Sequence, residues 1–472
     1  YLLKNVENTK SRGIVIAYDS RHKSAEFALE AAKIFAANGI VAYLFDELRP
    51  TPELSFAVRH LKAAAGVVVT ARHNPKQYNG YKVYGEDGGQ LPLEASEAVL
   101  SEVEAVSDIT SVIPMDESEA YEKGLIKKIG PEIDDAYINS LKTLVVDREA
   151  IDQTAASIKI VYTPLHGSGN KPVRRILSEI GFKNVLVVKE QELPDPEFPT
   201  VKYPNPEEAE SLKLAMELAH KEDADLIIGT DPDSDRMGIA VKNRQGEFIV
   251  LTGNQIGCLL LEYILSQKKR LGTLPANGFT VKTIVSTELA RKIALYYGVE
   301  MIEVLTGFKF IGEKIKDLDD TGLKKYIFGF EESHGYLAGT FARDKDAVVA
   351  SVLAAEMAAY YKARGMTIYD GLIEIYNRYG YCFEEVTSFA LEGKEGVEKI
   401  NAAMDAIRRE KGASFAECTI EEVRDYLTGE TVNLESGQKD KTGLPSSNVL
   451  YYRLKDSAWF CIRPSGTEPK IK

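Results

Sequence analysis

Residues 224–236 read ADLIIGTDPDSDR, an apolar run that leads into a loop with three aspartates. The apolar letters predict a buried strand that ends at this loop. Asp231, Asp233 and Asp235 occupy every second position, so in an extended loop their side chains face one way. Three crowded carboxylates repel one another unless a cation lies between them, and oxygen ligands suit a hard ion such as Mg²⁺. A solvated acidic turn is the plainer alternative. An EF-hand fits worse, because Arg236 and Lys242 stand where that loop needs Gly and Glu.

The composition indicates a large acidic protein. Its 472 residues, 44% of them hydrophobic, predict three or four domains with sizeable cores. The net charge of −13 argues against a nucleic-acid partner. No apolar run approaches a membrane span, and the four scattered cysteines give neither metal spacing nor a disulfide framework. We expect a cytoplasmic protein without a signal peptide or a membrane partner, while the oligomeric state stays open.

Up to about residue 375, predicted strands alternate with amphipathic helices, which indicates α/β domains with mixed or parallel sheets. A helix is predicted over 24–38, and strands over 13–18, 40–45, 158–162, 184–188, 226–228, 283–286 and 326–328. Strands over 381–389 and 457–462 indicate a smaller α+β domain at the end. The expected domains are I (1–150, with 114–153 as a connector to the next domain), II (151–255), III (256–374) and IV (375–472).

Four polar loops, one per expected domain, follow predicted strands. They lie in GVVVTARHNP (66–75), LIIGTDPDSDR (226–236), YIFGFEESHG (326–335) and AWFCIRPSGTEP (458–469). Open α/β sheets bind ligands beyond the carboxyl ends of their strands. The pattern therefore predicts three similar α/β domains and a smaller α+β domain around one cleft.

The loops differ in chemistry. The last one offers a phosphate group a guanidinium, two hydroxyls and backbone N–H groups around a glycine, although an ordinary Pro-Gly turn would read the same. Glu331 and Ser333 could bind sugar hydroxyls or be surface groups. His73 and Lys82 are plausible proton carriers, although a lone histidine is usually structural.

Three further segments give weaker signals. Thr306 and Gly307 form another polar turn after an apolar stretch. Asp19 and Arg21 are interpreted as an ion pair that orders the first domain. The segment TPLHGSG (163–169) could meet phosphate, but a strand-to-helix turn explains it equally well.

Together the loops resemble the α-D-phosphohexomutase superfamily, the phosphoglucomutases and phosphomannomutases. All four signatures stand in order, and the resemblance covers essentially the whole chain. The segments TGFKF (306–310) and RDKD (343–346) resemble the branch of bacterial α-phosphoglucomutases and phosphopentomutases. The family implies interconversion of glucose 1-phosphate and glucose 6-phosphate. A phosphoserine in the first loop donates its phosphoryl group, and a bisphosphate intermediate, glucose 1,6-bisphosphate, turns over in the cleft.

The resemblance also implies a role for each site residue. Mg²⁺ would be bound by Asp231, Asp233 and Asp235. Catalysis would involve position 72, His73, Lys82 and Arg236. The sugar-phosphate substrate would be bound by Thr306, Gly307, Glu331, Ser333, Lys345, Arg463, Ser465, Gly466 and Thr467.

The chain departs from the family at the phosphoryl carrier. The family loop reads Thr-Ala-Ser-His-Asn-Pro, and here Arg72 replaces the serine. A guanidinium stays protonated and is a very poor nucleophile. The substitution turns a group of charge near −2 into a cation beside three aspartates. We predict that mutase turnover is lost or nearly lost, that Arg72 turns toward the aspartates and partly replaces the metal, and that sugar-phosphate binding survives.

Three other functions stay open at this stage. The first is a non-catalytic sugar-phosphate-binding protein on the same scaffold, and the second is a mutase specific for pentose or mannose. The third is a haloacid-dehalogenase-type phosphatase, although that family has Thr or Val where this chain has Asp235. The family's Gly-Thr-x-Gly-Leu-Arg-Gly segment is absent, and the family continues beyond Lys472. We expect that ordered parts lie outside the given sequence.

Overall fold

The computed structural model describes residues 1–391, 393–410, 414–415, 418–465 and 470–472. The chain divides into two compact units, Tyr1–Tyr381 and Cys382–Lys472. Three sheets of mixed direction lie in the first unit, and the second unit has mainly antiparallel strands with one long helix. The predicted fold class, three α/β domains and a smaller domain, is confirmed. No helix in the described ranges combines the length and apolar character that crossing a membrane requires.

The first sheet has a charged edge strand that was not predicted from the sequence. Its elements are α1 Leu2–Asn5, α2 Thr9–Arg12, β1 Ile14–Tyr18, α3 Ser24–Ala37, β2 Ala42–Phe45, α4 Thr51–His60, β3 Ala65–Val69, β4 Tyr81–Tyr84, α5 Leu93–Glu104, α6 Glu117–Glu122, β5 Ile126–Ile129, α7 Pro131–Lys142 and α8 Arg148–Thr154. The strand order is β4–β3–β1–β2–β5, with β4 antiparallel. The interpretation of 114–153 as a connector was therefore wrong. Only Ile126 and Ile129 of β5 are buried, and the two lysines between them masked the strand.

The second sheet has the order β10–β9–β8–β6–β7, in which β8, β6 and β7 are parallel. Its elements are β6 Lys159–Thr163, α9 Asn170–Ile180, β7 Asn184–Val187, α10 Lys189–Glu192, α11 Lys213–Glu222, β8 Leu226–Thr230, β9 Met237–Lys242 and β10 Phe248–Val250. The strand predicted before the three aspartates is β8, and it is buried along its whole length.

The third sheet has the order β12–β11–β13–β14. Its elements are α12 Gly253–Arg270, β11 Gly278–Thr283, α13 Glu288–Tyr296, β12 Glu300–Val304, α14 Phe308–Ile315, a π-helical turn Lys316–Asp320, β13 Lys325–Glu331, β14 Gly335–Ala338, α15 Ala347–Ala363 and α16 Ile368–Tyr379. The strand predicted over 283–286 was misplaced, because β11 ends at Thr283 and a turn follows. Two buried polar residues of β11, Thr280 and Lys282, hid the true strand.

The three sheets share one arrangement. In each, the loop singled out from the sequence joins a parallel strand to its antiparallel neighbour, namely β3 to β4, β8 to β9 and β13 to β14. These loops leave the carboxyl ends of the parallel strands, which is where open α/β sheets present functional groups.

Helix α15 ties the first unit together. Asp346 caps its start by accepting the N–H groups of Val348 and Val349, each at 2.9 Å, and also accepts the hydroxyl of Tyr137 at 2.8 Å. Ten residues on, buried Glu356 accepts the N–H of Val146 at 2.8 Å. Helix α15 is buried on nearly every side. Through Asp346 and Glu356 it contacts α7 and the segment before α8.

The second unit is described by itself. Its elements are β15 Phe389–Ala390, α17 Gly393–Arg409, β16 Ser414–Phe415, β17 Cys418–Asp425, β18 Glu430–Asn433, β19 Lys439–Lys441, β20 Leu450–Leu454, β21 Trp459–Ile462 and β22 Lys470–Ile471. Its main sheet has the order β19–β18–β17–β20–β21, and β15 pairs with β22. The strand predicted over 381–389 was wrong except at Phe389, because Tyr381, Phe383 and Val386 are exposed in a segment without regular structure.

Candidate active site

The three aspartates after β8 converge. Asp231, Asp233 and Asp235 are fully buried, and one carboxylate oxygen from each lies within 4.8 Å of the others. Within the described chain, Asp231 Oδ2, Asp233 Oδ1 and Asp235 Oδ1 have no hydrogen-bond partner. A buried carboxylate oxygen left unpaired is costly. Three converging aspartates that each have one such oxygen fit the oxygen donor set of a hard divalent cation.

Neighbouring backbone and hydroxyl groups fix the aspartate loop. Asp231 accepts the N–H of Arg236 at 2.9 Å. Asp233 accepts the hydroxyl of Thr51 at 2.8 Å, and the N–H of Thr51 donates to the Asp233 carbonyl at 2.8 Å. Ser168 supports the loop from the second sheet, since its N–H and hydroxyl both donate to the carbonyl of Pro232, at 2.8 and 2.9 Å. The 163–169 segment is therefore a strand-to-helix turn that backs this loop.

Two lysines pair directly with the aspartates. Lys82 Nζ lies 2.7 Å from Asp233 Oδ2 and 3.0 Å from Asp235 Oδ2. Lys345 Nζ lies 3.0 Å from Asp235 and 3.3 Å from Asp344. Arg236 pairs with Glu207 and lies 3.9 Å from Asp235. The site thus holds fixed positive charge close to the carboxylates.

The aspartates do not share this charge equally. Burial raises the pKa of Asp231 well above its usual range, and the charges of Asp233 and Asp235 raise it further. Burial acts the same way on Asp235, but Lys345 and Lys82 outweigh it and hold the pKa of Asp235 well below its usual range. A bound cation would relieve the repulsion that raises the pKa of Asp231.

Arg72 lies close to the aspartates without pairing with them. Burial would lower its pKa, but the charges of Asp235 and Asp233 outweigh burial and raise it. In the described ranges, no carboxylate lies within 4.0 Å of its guanidinium, whereas Lys82 and Lys345 contact the aspartates directly. Arg72 thus acts on the aspartates at longer range than the two lysines do, and its partial replacement of the metal stays a prediction.

His73 follows Arg72 in the same loop. Its Nδ1 is buried and has no hydrogen-bond partner among the described residues. Burial, followed by the charge of Arg236, lowers the pKa of His73 well below its usual value. The imidazole is therefore neutral near pH 7.

The loop after β13 meets the turn before α14. Glu331 is buried and accepts the N–H of Gly307 at 3.0 Å. Burial raises its pKa, although Lys345 opposes the shift. The hydroxyl of Thr306 is buried and has no partner in the described part of the chain. Ser333 lies on the turn between β13 and β14. The Glu331 carboxylate can accept hydrogen bonds, and the hydroxyls of Thr306 and Ser333 can both accept and donate them.

The last loop belongs to the second unit. Arg463 and Lys472 exchange backbone hydrogen bonds of 3.0 and 2.9 Å, and the N–H of Ser465 donates to the carbonyl of Lys470 at 2.7 Å. Gly466 and Thr467, which were also predicted to bind phosphate, lie outside the described residues.

Some functional contacts escaped the sequence reasoning. Thr51 was missed because Pro50-Thr51-Pro52 reads only as a helix start, and the aspartate that it contacts lies 182 positions further on. Glu207 was missed because nothing in its local sequence marks it as a partner of Arg236.

Comparison with known proteins decides the family. Residues 1–109, 135–246 and 252–379 match the α/β/α domains I, II and III of phosphoglucomutase/phosphomannomutase. The chain belongs to this family. Its relatives include the phosphoglucomutases of Staphylococcus aureus strain USA300 (41% identity over 98% of this chain and 82% of that protein) and Staphylococcus saprophyticus (38% identity over 100% of this chain and 83% of that protein). Membership removes the dehalogenase-type phosphatase from consideration.

Solved structures of the phosphoglucomutase/phosphomannomutase family have the same fold. A putative phosphomannomutase from Thermus thermophilus superposes with a TM-score of 0.69 at 24% identity, over 97% of this chain and 85% of that one. The open form of parafusin from Paramecium gives a TM-score of 0.70 at 17% identity, over 100% and 84%. At these identities the likeness concerns the fold alone.

Proposed function

We propose that this chain is a phosphoglucomutase-type scaffold for interconverting glucose 1-phosphate and glucose 6-phosphate, disabled at its phosphoryl carrier by Arg72. The convergence of three buried aspartates, each with one carboxylate oxygen that lacks a hydrogen-bond partner in the described chain, near position 72, Lys82 and Lys345 carries the proposal. Phosphoryl transfer requires alignment and charge neutralisation above all, and this site supplies both. The 41% identity to a phosphoglucomutase supports the choice of glucose.

Within this proposal, Asp231, Asp233 and Asp235 hold Mg²⁺, which neutralises charge on the phosphoryl group when bound. Arg236 steadies that group, since its pairing with Glu207 keeps the guanidinium at the aspartate loop. His73 would help with proton movement at the attacking hydroxyl, since its imidazole is neutral and lies next to position 72. Glucose 1,6-bisphosphate serves as intermediate and activator.

We assign sugar and phosphate binding to the remaining site residues. Glu331 and Ser333 would bind sugar hydroxyls, with the Thr306–Gly307 turn beside Glu331 and Lys345 near both the sugar and the aspartates. The non-reacting phosphate would meet Arg463, Ser465, Gly466 and Thr467. Such binding does not depend on the group at position 72, so it is retained in this chain.

Turnover with and without the serine tests the proposal. We expect no conversion of glucose 1-phosphate by this chain in the presence of Mg²⁺ and a trace of glucose 1,6-bisphosphate. The Arg72→Ser variant should convert it at a rate typical of enzymes, about 1–10³ per second. Arg72→Ala is the matched control, because it removes the guanidinium without restoring a nucleophile. Activity in Arg72→Ala, or in the unchanged chain, would contradict the account of position 72.

Arg72 itself favours a second candidate, a sugar-phosphate-binding protein that does not catalyse. Titration calorimetry with glucose 1,6-bisphosphate separates the two. Binding without turnover in Arg72→Ser would support the second candidate. If Arg72→Ser prefers mannose or pentose phosphates, the mutase function would stand and only its substrate would differ.

A further inference from the structure

Arg21, which follows β1, donates to four carbonyls of the loop that carries position 72. Its Nη2 lies 2.5 Å from the carbonyl oxygens of Arg72 and Asn74. Its Nη1 lies 2.9 Å from that of Pro75 and 3.2 Å from that of Tyr78. The side chain of Arg21 is fully buried. One planar guanidinium thus donates hydrogen bonds to four carbonyls within a segment of seven residues.

Asp19 closes this arrangement into a network. It lies 3.3 Å from Arg21 Nε and accepts the hydroxyl of Thr70 at 2.7 Å. The same Thr70 oxygen accepts the N–H of Arg72 at 2.8 Å. Both backbone groups of residue 72 are therefore held, the N–H by Thr70 and the carbonyl by Arg21. The ion pair predicted from the sequence is present, and it does more than order the first domain.

The backbone of residue 72 needs such support. Its φ is +57°, in the left-handed region that a residue with a Cβ adopts only at a cost. Because the network fixes the two peptide groups next to this residue, it sets the direction of the Cα–Cβ bond for any side chain at position 72.

A residue of the second domain packs against the guanidinium of Arg21. The ring of Phe198 lies under Arg21, with 5.1 Å from Cζ to the ring centroid. Phe198 is 2% exposed and packs edge-on against His166, with the ring centroids 6.3 Å apart. The cation is thus held between an aromatic face and the carbonyls, in a geometry that favours stacking.

We propose that Arg21 is a positioning residue that aims the side chain of residue 72 at the aspartate site, with Phe198 holding its guanidinium in place. The inference rests on the proposed function, because the direction of this side chain matters only where position 72 carries a phosphoryl group. Arg21 acts through the loop backbone, and transfer rates fall steeply when a reacting atom is displaced.

Hydrogen exchange tests the positioning without any need for activity. In the chain as it stands, Arg21→Lys keeps the charge but cannot bridge the four carbonyls. We expect exchange of the Asn74 and Tyr78 amides, which bond to Ala71 and Pro75, to speed up about tenfold, with β1 and β3 unchanged. Phe198→Leu should give a smaller acceleration at the same amides. Arg12→Lys is the matched control, because Arg12 donates to the carbonyls of Lys62 and Ala63 instead. Unchanged loop exchange, or equal acceleration in the β1 and β3 strands, would overturn the proposal.

Kinetics in the Arg72→Ser background test the consequence for the reaction. Adding Arg21→Lys should lower kcat about tenfold or more and leave KM within about twofold, because the sugar-binding groups lie elsewhere. In Arg21→Ala, added ethylguanidinium should restore part of kcat. A rise in KM with kcat unchanged would contradict the positioning role. An inactive Arg72→Ser variant would count against the proposed function, and hydrogen exchange would still decide whether Arg21 fixes the loop.

Discussion

Position 72 lies in a site that holds fixed charges of both signs. Lys82, Lys345 and Arg236 face the three aspartates. A phosphoserine near −2 would offset a divalent cation, whereas Arg72 adds a positive charge to it. We therefore expect Arg72 to affect metal binding as well as the nucleophile.

Metal affinity measures this effect. We expect Arg72→Ser to bind Mg²⁺ at least about tenfold more tightly than the unchanged chain, because it removes a cation that faces Asp235 and Asp233. Calorimetric titration with Mg²⁺ gives the two dissociation constants. Arg12→Ser is the control, since Arg12 pairs with Glu86, away from the site. Equal affinities in Arg72→Ser and the unchanged chain would show that Arg72 does not act on the metal site.

The hydroxyl of Thr51 orients Asp233. Thr51→Val removes the 2.8 Å hydrogen bond but keeps the shape, so we expect Mg²⁺ to bind about tenfold more weakly. Thr51→Ser retains the hydroxyl and should bind as the unchanged chain does. If the valine and serine variants bind alike, the hydrogen bond has no part in metal binding.

Helix α15 is the element on which the first unit depends, and it carries a buried acid. Glu356 Oε1 accepts the N–H of Val146 and the hydroxyl of Tyr263, each at 2.8 Å, while Oε2 is buried and has no partner among the described residues. Burial raises the pKa of Glu356 to about 7.

This raised pKa predicts a pH-dependent stability. The folded protein binds the Glu356 proton more tightly than the unfolded chain does. The contribution is therefore present below the ordinary glutamate pKa and is lost as pH rises through about 7. We expect Glu356→Gln, which cannot ionise, to raise the unfolding midpoint by about 2–4 °C at pH 8 and to leave it nearly unchanged at pH 5. Thermal unfolding at both pH values, with exposed Glu149→Gln as the control, checks this. An equal shift at both pH values would rule out ionisation as the cause.

Sequence patterns located the elements whose signals are local. Strands β8 and β3 were predicted from their apolar residues, and the structure buries both strands along their whole length. Strand β11 was missed, since its Lys282 reads as exposed yet is paired in the interior with Glu288 at 2.8 Å. The contact of Thr51 with the aspartate loop could not be predicted, because Thr51 reaches it from another domain, 182 positions away in the chain.

At the scale of the molecule, the two compact units meet in the chain at Tyr381 and Cys382. Residues 381–388 have no regular structure, and the side chains of Tyr381 and Phe383 are 70% and 75% exposed. Exposed, irregular backbone is where proteases cut first. We expect brief treatment with chymotrypsin to cleave after Tyr381 or Phe383 and release two fragments, identified by intact mass. A first cut inside residues 1–370 would contradict the division.

We propose that position 72 is the phosphoryl carrier and that the rest of the site is competent. Mass spectrometry of the peptide containing residue 72 tests it most directly, after incubation with glucose 1,6-bisphosphate and Mg²⁺. We expect one added phosphoryl group on the introduced serine of the Arg72→Ser variant and none on the same peptide of the unchanged chain. An unmodified serine in a folded variant that binds the bisphosphate, or a phosphoryl group on another residue, would contradict the claim.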